Sequence, residues 1–127
     1  MRAIDTNVLI RVVTRDDLSQ SLRARTLVSE NEILLCATVL LEAEWVLRSV
    51  YGLAPAAIAV AFRRFCGLET VTVEQPDRVE LALQWFEGGC DFADALHLAG
   101  SGDCEAFATF DGGLAKAAPQ GWTVRLV

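Results

Sequence analysis

The chain reads as an α/β sandwich built on a mainly parallel sheet, and three observations carry that reading. Short apolar strands alternate with helix-length segments from one end to the other. Most of the strands lack the apolar–polar alternation of a sheet with one wet face, as expected when both faces are covered. Helix caps, glycines and prolines mark the joins.

Arg2–Ile4 reads as a short strand, and Asp5, Thr6 or Asn7 can cap a helix running to about Thr14. "RDDLS" makes a turn, and Ser19 or Gln20 opens a second helix to about Ser29, with apolar Leu22, Leu27 and Val28. "ILLCA" (Ile33–Ala37) is an apolar strand. Thr38 is placed to cap the next helix, which runs to about Val50 and is stopped by Gly52; Trp45, Val46 and Tyr51 read mainly as core. "APAAIAVAFRRFCG" is a helix with Pro55 in its first turn and Gly67 at its end. "ETVTV" (Glu69–Val73) is rich in β-branched residues and reads as a strand. Pro76 opens a helix to Phe86, closed by Gly88–Gly89. "DFADALHLAG" is a helix capped by Asp91 and ending at Gly100 or Gly102. The strand "EAFATF", the short turn or helix "DGGLAKA" and the strand "WTVRLV" complete the chain. No linker, repeat or low-complexity tract interrupts residues 1–127, which are expected to form one domain.

Composition narrows the function. Hydrophobic residues make up 53% of the chain, which argues for a packed core and against disorder. The longest apolar runs, such as "ILLCATVLL", fall far short of a ~20-residue membrane span. Asp5 interrupts the N-terminal apolar stretch and no small-residue cleavage site follows, so a cytoplasmic location is expected. Cys36, Cys66, Cys90 and Cys104 form no C-x-x-C pair and read as reduced thiols. A net charge of −6 rules against coating nucleic acid by general basicity and favours clustered carboxylates, a cation or a basic partner.

Carboxylates do recur where ligands collect in open α/β sheets, at the carboxyl ends of strands and the starts of the helices that follow. Asp5 follows the first strand and Asp111 the strand "FATF", while Glu42 and Asp94 lie early in helices. Each acid also has an ordinary structural use: Asp5 as a helix cap, Glu42 as a dipole complement, Asp111 as the first residue of a D-G turn. Glu42 and Glu44 are about 200° apart around a helix, so one can face a site while the other meets solvent. Asp91 and Asp94 share a helical face, and two carboxylates that close repel unless a cation or donor intervenes. Three or four converging carboxylates need a counter-charge, and hard oxygen donors suit Mg²⁺ or Mn²⁺. The chemistry indicated is metal-assisted attack on a phosphodiester. A single histidine, His97, cannot supply a two-histidine metal set, and no G-x-S-x-G, Walker or G-x-G-x-x-G sequence is present. A receiver-like phospho-acceptor is disfavoured, because "ILLCAT" ends without an acid and Lys116 is poorly placed.

"IDTNVLIR", "LLEAEWVLRSVYG", "DFADALHLA" and "ATFDGGLAK", in this order, resemble the PIN-domain ribonucleases, in particular the VapC-type toxins of prokaryotic toxin–antitoxin pairs. The resemblance implies a three-layer sandwich with a mainly parallel central sheet and a Mg(II)- or Mn(II)-dependent endoribonuclease. Asp5, Glu42, Asp94 and Asp111 fall on that family's acidic quartet, as catalytic residues and metal ligands, with Asp5 and Asp94 its best-supported ligands. Thr6, Asn7, Asp91 and Thr109 match polar residues that often accompany the quartet, and Thr6, Asn7 and Thr109 are expected near substrate. Arg11, Arg15 and Arg48, each following a site segment, are candidates for phosphate contact. The resemblance further implies an RNA substrate, a homodimer and a cognate antitoxin protein covering the acids, into which an antitoxin arginine could insert. The competing reading is a PIN-like module that binds RNA or protein without cleaving; the intact quartet argues against it.

Overall fold

A computed structural model describes residues 1–127. It contains β1 (Arg2–Ala3), α1 (Thr6–Val13), α2 (Leu18–Glu30), β2 (Ile33–Leu35), α3 (Ala37–Ser49), α4 (Pro55–Cys66), β3 (Val71–Val73), α5 (Pro76–Glu87), α6 (Phe92–Ala99), β4 (Phe107–Thr109), α7 (Gly112–Lys116) and β5 (Val124–Leu126). Every strand pairing is parallel, and helices connect the strands, so the expected α/β class and parallel pairing are what the chain forms. The ladders fall into two groups rather than one sheet: β1-β2-β3 and β4-β5. β1 contributes only two residues, Arg2 opposite Ile33 and Ala3 opposite Leu34.

Parallel pairing has a direct consequence for the site. β1, β2 and β3 end at one edge of their sheet, so Asp5, the start of α3 and Glu74 all emerge there. A continuous cluster of 22 buried residues lies against this sheet and the helices around it. At its centre Phe92 of α6 is fully buried, with its ring 5.9 Å from Phe62 of α4 and 5.3 Å from Phe86 of α5. These edge-on and tilted aromatic contacts fix the height and rotation of α6, the helix that carries Asp94.

Several boundaries depart from the sequence reading. Asp17 accepts from the Gln20 backbone N–H, so α2 begins at Leu18, ahead of the predicted Ser19 or Gln20. Thr38 does not cap α3. The helix starts at Ala37, and its cap residue, Cys36, makes no side-chain cap bond. The missing acceptor comes from β3's end instead: the Ala37 N–H donates to Glu74 Oε1 at 3.1 Å. Glu74 is held for this by its own backbone N–H, which donates to the Leu35 carbonyl at 2.9 Å. All five strands are also shorter than predicted, β1 ending at Ala3 and β2 at Leu35. Trp45 is not core but 56% exposed.

The far end of α6 is tied from a neighbouring helix. Arg78 of α5 donates through Nε to the Leu96 carbonyl at 2.8 Å and through Nη1 to Gln75 Oε1 at 2.9 Å. Gly100 follows immediately, and a Cβ there would stand 2.8 Å from the Arg78 guanidinium, so any larger residue would push that side chain aside.

Candidate functional site

The acids at the strand ends are held by their own backbone neighbourhoods. Asp5 caps α1, its Oδ1 accepting from the Thr6 N–H at 2.7 Å. Asp91 caps α6 through Oδ2, from the Asp94 N–H at 3.2 Å. Asp111 caps α7 through Oδ1, from the Leu114 N–H at 3.0 Å. Each capping bond uses one carboxylate oxygen and fixes the rotamer; the second oxygen makes no protein hydrogen bond and stays free to accept. The structural use expected for these residues is therefore present, and it leaves coordinating capacity unspent.

Asp91, Asp94 and Asp111 line one cavity of about 600 Å³, between the end of α5, α6 and α7. Their mutual influence is visible at Asp94. Burial, then the charges of Asp91 and Asp111, push its carboxyl above the ordinary aspartate value, and His97 pulls only partly the other way. Cys90, on the same cavity, is raised by burial and by the charges of all three aspartates, which makes it a poor thiolate nucleophile. None of the three aspartates forms a salt bridge with a lysine, arginine or histidine of this chain. The cavity thus concentrates negative charge without neutralising it.

Asp5 and Glu42 do not line that cavity. Asp5 ends β1, and Glu42 lies on the second turn of α3, which rises from the adjacent β2. Both are exposed, so of the two glutamates on α3 it is Glu42 that meets solvent. Glu44 is 3% exposed and pairs with Arg48 one turn later at 3.0 Å. The sequence sets Glu42 and Glu44 on opposite faces without deciding which meets solvent, and the i,i+4 spacing from Arg48 is the signal for the buried one. The Arg48 guanidinium also feels the Asp91 charge, which places α3's last turn near the start of α6.

The remaining sequence-predicted residues divide. Thr109 turns its hydroxyl back to accept from the Asp111 N–H at 3.0 Å, supporting the acid's loop. Thr6 is buried at the start of α1. Asn7 is exposed and lines a shallow depression between α1 and α2 with Arg11. Arg11 itself is heavily engaged: Nε donates to Gln20 Oε1 at 2.6 Å, and Nη1 donates to Asp16 Oδ1 and the Tyr51 hydroxyl at 3.0 and 3.1 Å. The Tyr51 O–H in turn donates to Asp16 Oδ2 at 2.7 Å. This knot joins α1, the start of α2 and the end of α3. Arg15 stands exposed beside an apolar depression with Arg25 and Arg64.

The donor chemistry fits a hard divalent cation: three carboxylates share a cavity, none charge-paired, and the one thiol there, Cys90, is disfavoured from ionising. No three acidic, histidine or cysteine side chains stand close enough together to enclose an ion between them. The arrangement accordingly fits the mode in which Mg²⁺ takes one or two protein carboxylates and completes its shell with water and substrate phosphate. No helix is long and apolar enough to cross a membrane.

A protein-family model described as "PIN domain" matches residues 3–119, nearly the whole chain and all four acids. No curated protein and no solved structure matches.

Proposed function

The chain belongs to the PIN-domain family, a family of nucleases that are often toxin components, and on that premise we propose that it is a Mg(II)- or Mn(II)-dependent endoribonuclease acting as the toxin of a type II toxin–antitoxin pair. The observation that carries the reading is the unneutralised acidic cavity of Asp91, Asp94 and Asp111, within a family match that also takes in Asp5 and Glu42.

Asp5 and Asp94 are the direct ligands in this proposal, with Glu42 and Asp111 holding coordinated water. A bound divalent ion supplies a water of lowered pKa for in-line attack and offsets charge developing at phosphorus. The chain's own residues set the geometry. The backbone caps at Asp5, Asp91 and Asp111 hold one oxygen of each carboxylate and leave the other free to accept. Thr109 holds the Asp111 loop in register. His97 is exposed on α6, and no side-chain general base is required. Arg48 remains a phosphate candidate because half of its side chain is accessible while Glu44 orients it. Arg11 acts first as the knot between helices, and its contribution to RNA is confined to the depression it shares with Asn7.

Partner control follows from charge. An acidic cavity without a cationic side chain of its own favours an arginine from an antitoxin, which would exclude metal and RNA together. The homodimer belongs to the same proposal, and the exposed Trp45 of α3 is a candidate contact.

RNA cleavage with Mg²⁺ or Mn²⁺, with and without EDTA, tests the enzyme. Cleavage should be chelator-sensitive and fall at least ~100-fold in Asp5→Asn and in Asp94→Asn. Undiminished cleavage in EDTA would remove the proposal. Expression alone should arrest growth and co-expression with the neighbouring gene product should restore it; harmless expression of folded protein would remove the toxin assignment. Sedimentation velocity checks the dimer.

A further inference from the structure

The cavity that holds the acids has a second half that phosphodiester chemistry does not use. Alongside Asp91, Asp94 and Asp111 it is lined by Trp85, Leu98, Leu114 and Pro119. A sugar–phosphate backbone is anionic and strongly hydrated, and it gains nothing from an indole and a leucine wall. The part of a nucleotide that does gain is the base, which is flat, largely apolar on its faces and uncharged at neutral pH, so the neighbouring carboxylates do not repel it.

The wall is also prepared for such a ligand. Trp85 is braced by Trp122, their rings 5.0 Å apart and nearly perpendicular at 86°. A braced indole loses little rotamer freedom on binding. Gly88, Gly89 and Gly113 form part of the rim without side chains to obstruct it. A volume of about 600 Å³ lies in the range of sites for small organic ligands and exceeds the needs of a hydrated metal ion.

We propose that the apolar half of this cavity, walled by Trp85, is a subsite for one unpaired nucleobase next to the bond to be cut. The inference rests on the ribonuclease reading for the identity of its ligand, but the cavity can be tested without catalysis.

The three tryptophans provide the readout. Uncharged nucleosides, adenosine and cytidine, are titrated into metal-free protein while the indole N–H resonances are followed by NMR. Those of Trp85 and Trp122 should move saturably, and that of Trp45, which does not line the cavity, should not. Ala117→Phe fills the cavity from an exposed rim position without removing any packed side chain, and it should abolish the response. In RNA cleavage the same variant should raise KM for a single-stranded substrate about 5- to 100-fold, the usual worth of one stacked base, and more than it lowers kcat.

No saturable shift, or equal movement of Trp45, overturns the subsite. Shifts from N-acetylargininamide with none from nucleosides assign the cavity to a partner's cationic side chain and overturn it equally. Cleavage of single-stranded RNA without an indole response overturns the subsite and leaves the nuclease standing. A nucleoside response without cleavage keeps the base pocket and removes the nuclease reading.

Discussion

Replacing Glu74 by alanine removes the only side-chain acceptor at the start of α3, although the two lie 37 positions apart in sequence. N-cap acceptors contribute about 0.5–2 kcal/mol, typically near 1, and this one is partly exposed, so about 1 kcal/mol is expected. At roughly 2.1 cal/mol/K per residue, a chain of 127 residues has an unfolding entropy near 0.27 kcal/mol/K, which converts that loss to about 4 °C in Tm. The structure also specifies a rescue. Cys36 has φ −79° and ψ 146°, the extended geometry an N-cap needs, but carries no bonding side-chain oxygen. Cys36→Asp should restore most of the lost stability in the Glu74→Ala background and do so locally. Thermal unfolding followed by circular dichroism reads both steps. A Glu74→Ala melting temperature within 1 °C of wild type, or a double variant no more stable than the single, would refute the assignment of α3's cap to Glu74. Since α3 carries Glu42, RNA cleavage should weaken in Glu74→Ala and recover in the double variant.

Asp94→Asn should melt higher than wild type in EDTA at pH 7, because burial and the Asp91 and Asp111 charges disfavour the ionised Asp94; Mg²⁺ should then raise the wild-type Tm but leave the variant's unchanged, as a lost ligand requires. Phe92→Leu should cost about 1–3 kcal/mol through two lost aromatic contacts, measured by urea unfolding, with cleavage lowered because α6 shifts under Asp94. Arg63 holds the Glu80 carboxyl below its ordinary value, so that pair's contribution is complete above the unfolded value near 4.5 and is lost as pH falls through the lower folded value. Glu80→Gln should therefore flatten the acid limb of stability against pH below about 4.5 and leave the slope near pH 7 unaltered, as checked by Tm measured across that range.

The sequence by itself determined the α/β class, the order of all twelve elements and the acids at their ends, because these depend on periodicity and on local caps. Asp5, Asp91 and Asp111 cap helices through their own next turns, within three residues, and a local interaction is written in adjacent letters. Tertiary structure decided what depends on distant segments meeting. It gave α3's cap to Glu74 instead of Thr38, and it buried Glu44 against Arg48 while leaving Glu42 in solvent. It drew Arg11 into a knot with Asp16 and Tyr51, and it split the expected sheet into ladders of three and two strands. It also put a tryptophan and three aspartates in one cavity, an arrangement with no signature in spacing, because Trp85, Asp94 and Leu114 come together only when α5, α6 and α7 pack. Residue types and their local order follow from short-range chemistry; which charges share a cavity follows from packing, and only the folded chain contains that information.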